Sequence, residues 1–189
     1  VLLNSDTVVT GDWLERLLQV AEANPRAGLV GPVTNNISGL QKLESVGYDE
    51  ESLAGLGEFA AAEASRHDGE IERTLRLTGM CLLIKRELLA RIGGLDEIFG
   101  LGNYEDNDYC LRAHLAGYEC LIARGALIHH FGSRSFAAAG IDYLAQIRRQ
   151  WSIFKAKWGI PAETPFNGNV EMGALLAGGF DPERHFQPL

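Results

Sequence analysis

A chain of 189 residues with 46% hydrophobic content can bury a core, so it makes one domain or a piece of one larger domain and not a disordered tail. Its net charge of -8, with no local run of Lys or Arg, excludes a nucleic-acid partner bound by neutralising the phosphate backbone. Cys81, Cys110 and Cys120 are odd in number and lack C-x-x-C spacing, which indicates neither a zinc site nor a disulfide framework and fits a reducing compartment.

The first residues, "VLLNSDTVV", read as a buried strand running into a polar turn. An apolar strand at Val1, with no initiating methionine, needs sheet neighbours from elsewhere, and the expectation is a chain cut from a longer protein. No apolar run approaches the roughly 18 residues that span a bilayer, and the start lacks the basic residues of a signal peptide. Thr10-Gly11-Asp12 offers caps for a helix with Leu14, Leu17, Leu18 and Ala21 at helical spacing, stopped at Asn24-Pro25. "AGLVGPV" follows as a buried strand, and strand, helix, strand in that order mark an α/β layer fold.

The polar run 34–47 leads to an expected helix near 50–65, closed by the charged "RHDGEIER", which has the composition of an exposed insertion. "TLRLTGMCLLIKR" reads as a strand broken at Thr78-Gly79, then a short helix "RELLARI" ending at Gly93-Gly94. "YEDNDYCLR", beginning at Tyr104, crowds three carboxylates into four positions at the mouth of a helix that runs to Ala116, with Gly117 as its stop. Two short strands, "ECLIA" and "ALIHH", precede a long amphipathic helix, 141–157, whose Leu144, Ile147, Trp151 and Phe154 are spaced for core packing. Residues 159–189 are rich in Gly and Pro with little periodicity, and an extended tail, docked or partly mobile, is expected there.

Three clusters can carry chemistry. Asn4 and Asp6 lie on the turn after a buried strand, where open α/β sheets bind ligands. A carboxylate there suits a hard divalent cation that also touches phosphate oxygens, and the same Asp6 can instead simply cap the turn. His129 and His130 end a strand on which successive side chains face opposite ways, so at most one imidazole of the pair can enter a site as a metal ligand, and both can instead be satisfied core or surface residues. In "YEDNDYCLR" the acidic residues complement the free N–H groups of the first helical turn, and the same field holds a carboxylate ionised for general-base work; the stretch alone serves both readings. Asp108 is expected to pair with Arg112 at i+4.

Taken in order, "LLNSDTVVTGDWLERLL", "VGPVTNN", "TGMCLLIKRELLARIGGLDEIFG", "YEDNDYCLRAHLAGY" and "ALIHHFGSRSF" resemble the second half of an inverting family-two glycosyltransferase of the GT-A fold. The resemblance implies an α/β fold with a mixed sheet flanked by helices, in which residues 1–158 form the C-terminal part of the catalytic domain and 159–189 lie outside it. The missing N-terminal half of such a domain supplies most contacts to the nucleotide base and ribose, so the chain alone is expected to be inactive.

The roles it implies fall residue by residue. Asn4-Ser5-Asp6 stands at the D-x-D motif, with Asn4 in place of its first Asp and Asp6 holding the metal on the donor diphosphate. Thr78 and Gly79 match the loop whose backbone lies close to the donor sugar. Asp106 matches the catalytic base, supported by Glu105, and His130 begins the H-x-G-x-x-S block that completes the metal shell. The implied cofactor is Mn²⁺ or Mg²⁺, the donor a nucleotide-diphosphate sugar, and the acceptor a glycan, lipid-linked or protein hydroxyl. A bacterial-type surface glycan or glycoconjugate pathway in the cytoplasm, including the inner face of the membrane, is the implied setting.

Two other classes compete. A non-catalytic carbohydrate- or partner-binding module could keep the same blocks without turnover. A two-carboxylate glycoside hydrolase fits poorly, because adjacent Glu105 and Asp106 do not flank a glycosidic bond at the ~5–10 Å separation such enzymes use.

Overall fold

A computed structural model of the chain describes residues 1–132, 142–166 and 170–189. The apolar run Ala27–Val33 becomes strand β3, buried along its whole length because both its faces and both its edges are covered. Its neighbours are β5 (Cys81–Ile84), antiparallel, and β6 (Glu119–His130), parallel. The sheet is therefore mixed. β1 (Leu2–Leu3) adds to β5, β2 (Thr7–Val9) to the end of β6, and β4 (Ile71–Thr74) to its beginning, all antiparallel.

Helices α1 (Trp13–Ala23), α2 (Leu56–Arg66), α3 (Arg86–Ile92), α4 (Glu105–Leu115) and α5 (Tyr143–Trp158) flank this sheet. One apolar cluster, built on Leu17, Val20 and Leu121, seats α1; another, built on Leu29, Leu82 and Tyr109, seats α2, α3 and α4. None of the described helices is long and apolar enough to cross a membrane. Cys81, Cys110 and Cys120 are buried free thiols.

Several sequence expectations need correction. The opening strand is not buried: Leu2 and Leu3 are about two-fifths exposed on an edge, beside an antiparallel neighbour. "ECLIA" and "ALIHH" are one twelve-residue strand, with a register shift at Pro32/Val33 that lets it bond β3 and β4 first and β2 later. "GEIER" is no simple insertion, since β4 pairs Ile71–Thr74 with β6; its charges find partners on that strand, Glu72 with Arg124 and Arg73 with Glu119, and to composition alone they signal a loop. Asp12 does not cap α1 with its side chain and takes a left-handed conformation. The second helix starts at Leu56 rather than near 50, because Asp49 closes a turn on the Glu51 and Ser52 amides first.

Segment 159–189 is not merely extended. Helices α6 (Met172–Leu176) and α7 (Pro182–His185) form in it, and Val170, Met172, Leu175, Leu176 and Phe180 pack on a third cluster made of Phe99, Leu111, Trp151, Phe154 and Trp158. Backbone bonds from Gly94 N–H to Gln187 O and from Gln187 N–H to Ile92 O fasten its end beside α3. Short amphipathic pieces docked on an aromatic patch leave too little periodicity to read from sequence. The patch also corrects α5, whose Trp151 and Phe154 are core while Leu144 is exposed. Residue 141, the expected start of α5, lies outside the described residues.

Candidate active site

Strands β2 and β6 fix the first half of the site. Pairing of Thr7 with His130 and the bond from Phe131 N–H to Asp6 O bring Asp6 level with the end of β6. The Asp6 Oδ1 and His130 Nε2 atoms are 3.4 Å apart, both side chains mostly buried. His129, on the opposite face, meets the Tyr48 hydroxyl through Nδ1 at 2.8 Å. The alternation expected of the two histidines is thus present.

Two residues that the sequence reading passed over hold His130. Asn35 Oδ1 accepts from the His130 backbone N–H at 2.8 Å, and the Asn36 carbonyl lies 2.7 Å from His130 Nδ1. A carbonyl only accepts, so Nδ1 carries a proton, and Nε2 is the ring nitrogen that faces Asp6 and can serve as a ligand. That donor set, one imidazole and one carboxylate at the edge of an open cleft, fits a divalent cation that takes its remaining ligands from water and phosphate. Among the described residues no group of three or more His, Cys, Asp or Glu could hold a metal, so the protein's share would be these two. The sequence signal for Asn35 and Asn36 is their place in "VGPVTNN", one of the blocks that carry the resemblance, just after the buried β3, with no role attached to either.

The second half is set by α4 and the loop before β5. Gln41, buried, takes its Pro32 carbonyl contact through Nε2 and accepts from the Thr78 N–H at 2.8 Å, which shapes the Thr78-Gly79 loop. Gly79 N–H then donates to Asp106 Oδ2 at 2.9 Å, and Asn107 N–H to Oδ1 at 2.7 Å. A Cβ on Gly79 would lie in ordinary contact, 3.5 Å from the Asp106 Cβ and 3.6 Å from Glu105 Oε1, so this loop runs directly along both carboxyls. Tyr104, left-handed at φ 72°, opens α4, its ring wedged against Trp151 and Phe154 at 5.5 and 5.2 Å between centroids.

Asp106 was expected to stay ionised, and the structure opposes that with burial. Loss of water raises its carboxyl above the ordinary range, against the pull of the Gly79 N–H, the Arg76 charge and the Asn107 N–H. Burial first, and the Asp106 charge second, lift Glu105 to about 7. The pair therefore holds a proton at slightly acid pH, with the hydrogen bonds falling on Asp106.

A proton retained by the folded state and released by the unfolded one fixes a sign: the stabilisation it gives is full below the ordinary carboxylate range and lost as pH rises to about 7. The urea midpoint of the ligand-free protein should fall between about pH 5 and about pH 8, and fall less in Glu105→Gln. Equal slopes in the two proteins would contradict a shared buried proton.

Asn4, Asp6, Thr78, Gly79, Glu105, Asp106 and His130 all border one cleft of about 660 Å³, the Asp6 and His130 pair at one part of its wall and the Glu105 and Asp106 pair at another. These residues come from four separate chain segments that meet only in the fold. Residues 133–135 of the H-x-G-x-x-S block lie outside the described residues. Asp108 leaves the cleft altogether: it points inward to Arg112, as the i+4 spacing predicts.

Residues 1–149 match the model of the family described as "Glycosyltransferase like family 2". The chain is also 29% identical over 185 residues to "Uncharacterized protein y4gI" of Sinorhizobium fredii (strain NBRC 101917 / NGR234), a match that covers 90% of this chain and 20% of that protein. It thus spans about a fifth of the relative's length. With most of its length matched and a mixed sheet flanked by helices, the chain belongs to the glycosyltransferase-like family 2 and carries part of its GT-A fold.

Proposed function

We propose that this chain is the metal- and base-bearing part of an inverting glycosyltransferase that takes a nucleotide-diphosphate sugar. The observation that carries the reading is the single cleft with a cation-compatible pair at Asp6 and His130 and a hydrogen-bonded carboxylate at Asp106. Asp106 accepts the proton of an acceptor hydroxyl as that oxygen attacks the anomeric carbon, and Gly79 N–H and Asn107 N–H hold the carboxylate in place through the step. Burial raises the basicity of Asp106, and Glu105 stands beside it in the first turn of α4. Asp6 and His130 would hold Mn²⁺ or Mg²⁺, which when bound neutralises the charge developing on the departing diphosphate. Attack from the side opposite the diphosphate inverts the anomeric centre. Thr78 and Gly79, with Asn4, border the space left for the donor sugar. Residues 1–158 are the catalytic part in this reading, and the glycan, lipid-linked or protein acceptor enters from the open side.

The test is a panel of UDP-, GDP- and dTDP-sugars offered to the full-length protein with Mn²⁺ or Mg²⁺, scored by nucleotide release. Metal-dependent release from one donor class is expected, abolished by EDTA. Saturable sugar binding without release would instead make the protein a carbohydrate-binding module. Asp6→Asn and His130→Ala should each weaken Mn²⁺-dependent binding of the nucleotide diphosphate by at least about tenfold, since even outer partners of a metal are worth 10–100-fold. Calorimetric titration with and without Mn²⁺ checks this, and unchanged affinity in both variants would remove the metal assignment.

A further inference from the structure

The turn that leads into α4 concentrates two kinds of cost. Gly102, Asn103 and Tyr104 all have positive φ, at 111°, 73° and 72°; glycine and asparagine take up that region readily, while Tyr104 carries a bulky side chain for which it is disfavoured. On the same turn the side-chain nitrogen of Asn103 and the Oε2 atom of Glu105 are shut off from water without a hydrogen-bond partner. One is a donor and the other a carboxyl oxygen two residues away, yet they do not bond each other. Both residues border the cleft described above. Such atoms are rare in a folded protein because each costs the full loss of its hydration, and strain with unsatisfied polar groups at one place points to a ligand that relieves them.

The missing ligand can be described by its chemistry. It must donate to a carboxyl oxygen and accept from an amide N–H, which one hydroxyl group does at once. Gly79 and Gly102 form the adjoining walls: a Cβ at Gly102 would lie 3.8 Å from Glu105 Oε2, and one at Gly79 3.6 Å from Oε1. Backbone without side chains on both sides of the carboxyl lets a polyhydroxylated ring come close. Both atoms are turned away from open space, and the terminal torsions of Asn and Glu side chains are soft, so rotation of the Asn103 carboxamide and of the Glu105 carboxyl turns them toward a ligand that enters.

We propose that Asn103 and Glu105 form a clamp for one ring hydroxyl of the transferred sugar, Glu105 accepting from it and Asn103 donating to it, which makes Asn103 a specificity-determining residue of this site. The inference rests on the reading of the cleft as a donor-sugar site. A clamp of this kind rejects donors that lack the hydroxyl or carry it on the other ring face, because both buried groups are then left unpaired.

The experiment is calorimetric titration of the full-length protein, with Mn²⁺ and without acceptor, using UDP, GDP and dTDP, their common sugar derivatives, and the monodeoxy forms of the sugar that binds best. Asn103→Gly is the informative variant, since glycine keeps the left-handed turn and deletes only the carboxamide. One monodeoxy donor should bind about 10–100-fold more weakly than its parent. Asn103→Gly should weaken the parent by a similar factor and leave that one deoxy donor unchanged. If Asn103→Gly does not fold, Asn103→Asp, of the same size and without the N–H donors, takes its place.

An unchanged affinity for the parent, or an equal loss for every sugar, would overturn the clamp and leave the donor site standing. Sugars that bind no better than their free diphosphates would do the same. No binding of any nucleotide would overturn both readings together.

Discussion

Asp106→Asn in the full-length protein is expected to lower sugar transfer by about 10²–10⁴-fold, the usual contribution of a positioned general base. The substitution keeps the volume and one acceptor oxygen but can no longer take a proton. Because Gly79 N–H and Asn107 N–H address different oxygens of Asp106, the new amide must turn its NH₂ against one of them. That lost bond costs about 1 kcal/mol, small beside the effect on rate. The charge is lost as well, so Glu105 should titrate below its value of about 7, its second cause having gone. Transfer rates, a urea curve and the pH profile of binding read these three consequences separately. Transfer within about tenfold of wild type would mean that another group is the base.

Asp108→Asn should do the opposite, with a loss of about 3–5 kcal/mol in unfolding free energy and less than about a tenfold change in transfer by the molecules that remain folded. Asp108 and Arg112 are both fully buried, with Arg112 Nε 2.7 Å from Asp108 Oδ2. The other Asp108 oxygen accepts from the Trp158 indole N–H at 3.1 Å and faces Lys157, while Arg112 reaches the carbonyls of Ile92 and Gly94. One carboxylate therefore ties α4 to α5 and, through Arg112, to the end of α3. Neutralising it leaves a guanidinium buried without its counter-ion, which is the costly way to break such a pair. Urea unfolding of the two proteins decides the point: a loss under about 1 kcal/mol would show that the surrounding carbonyls and the indole suffice for Arg112.

The contrast between the two aspartates shows where local pattern is enough. They lie two positions apart in a run that reads as uniformly acidic, and helical geometry sends i+4 partners to one face, so the Asp108–Arg112 pair could be named from spacing. The ionisation of Asp106 could not. It depends on how much water the neighbouring 78–79 loop removes, and that loop is held by Gln41, a residue with no periodic or motif signal. Burial then outweighed the helix field that spacing alone would credit.

By itself the sequence determined the α/β class, the buried β3, the α4 helix with its glycine stop, the opposed faces of His129 and His130, and the family resemblance that placed the candidate residues. These depend on periodicity, side-chain alternation and local breakers, all of which act over a few residues. Only the tertiary structure decided that "ECLIA" and "ALIHH" are one strand, that β4 belongs to the sheet, and that the last segment folds as helices against Trp151 and Phe154. The same holds for Asn35 and Asn36 on His130 and for the orphaned atoms of Asn103 and Glu105. Each of these depends on a partner tens of residues away, or on water excluded by one, and a linear chain records neither.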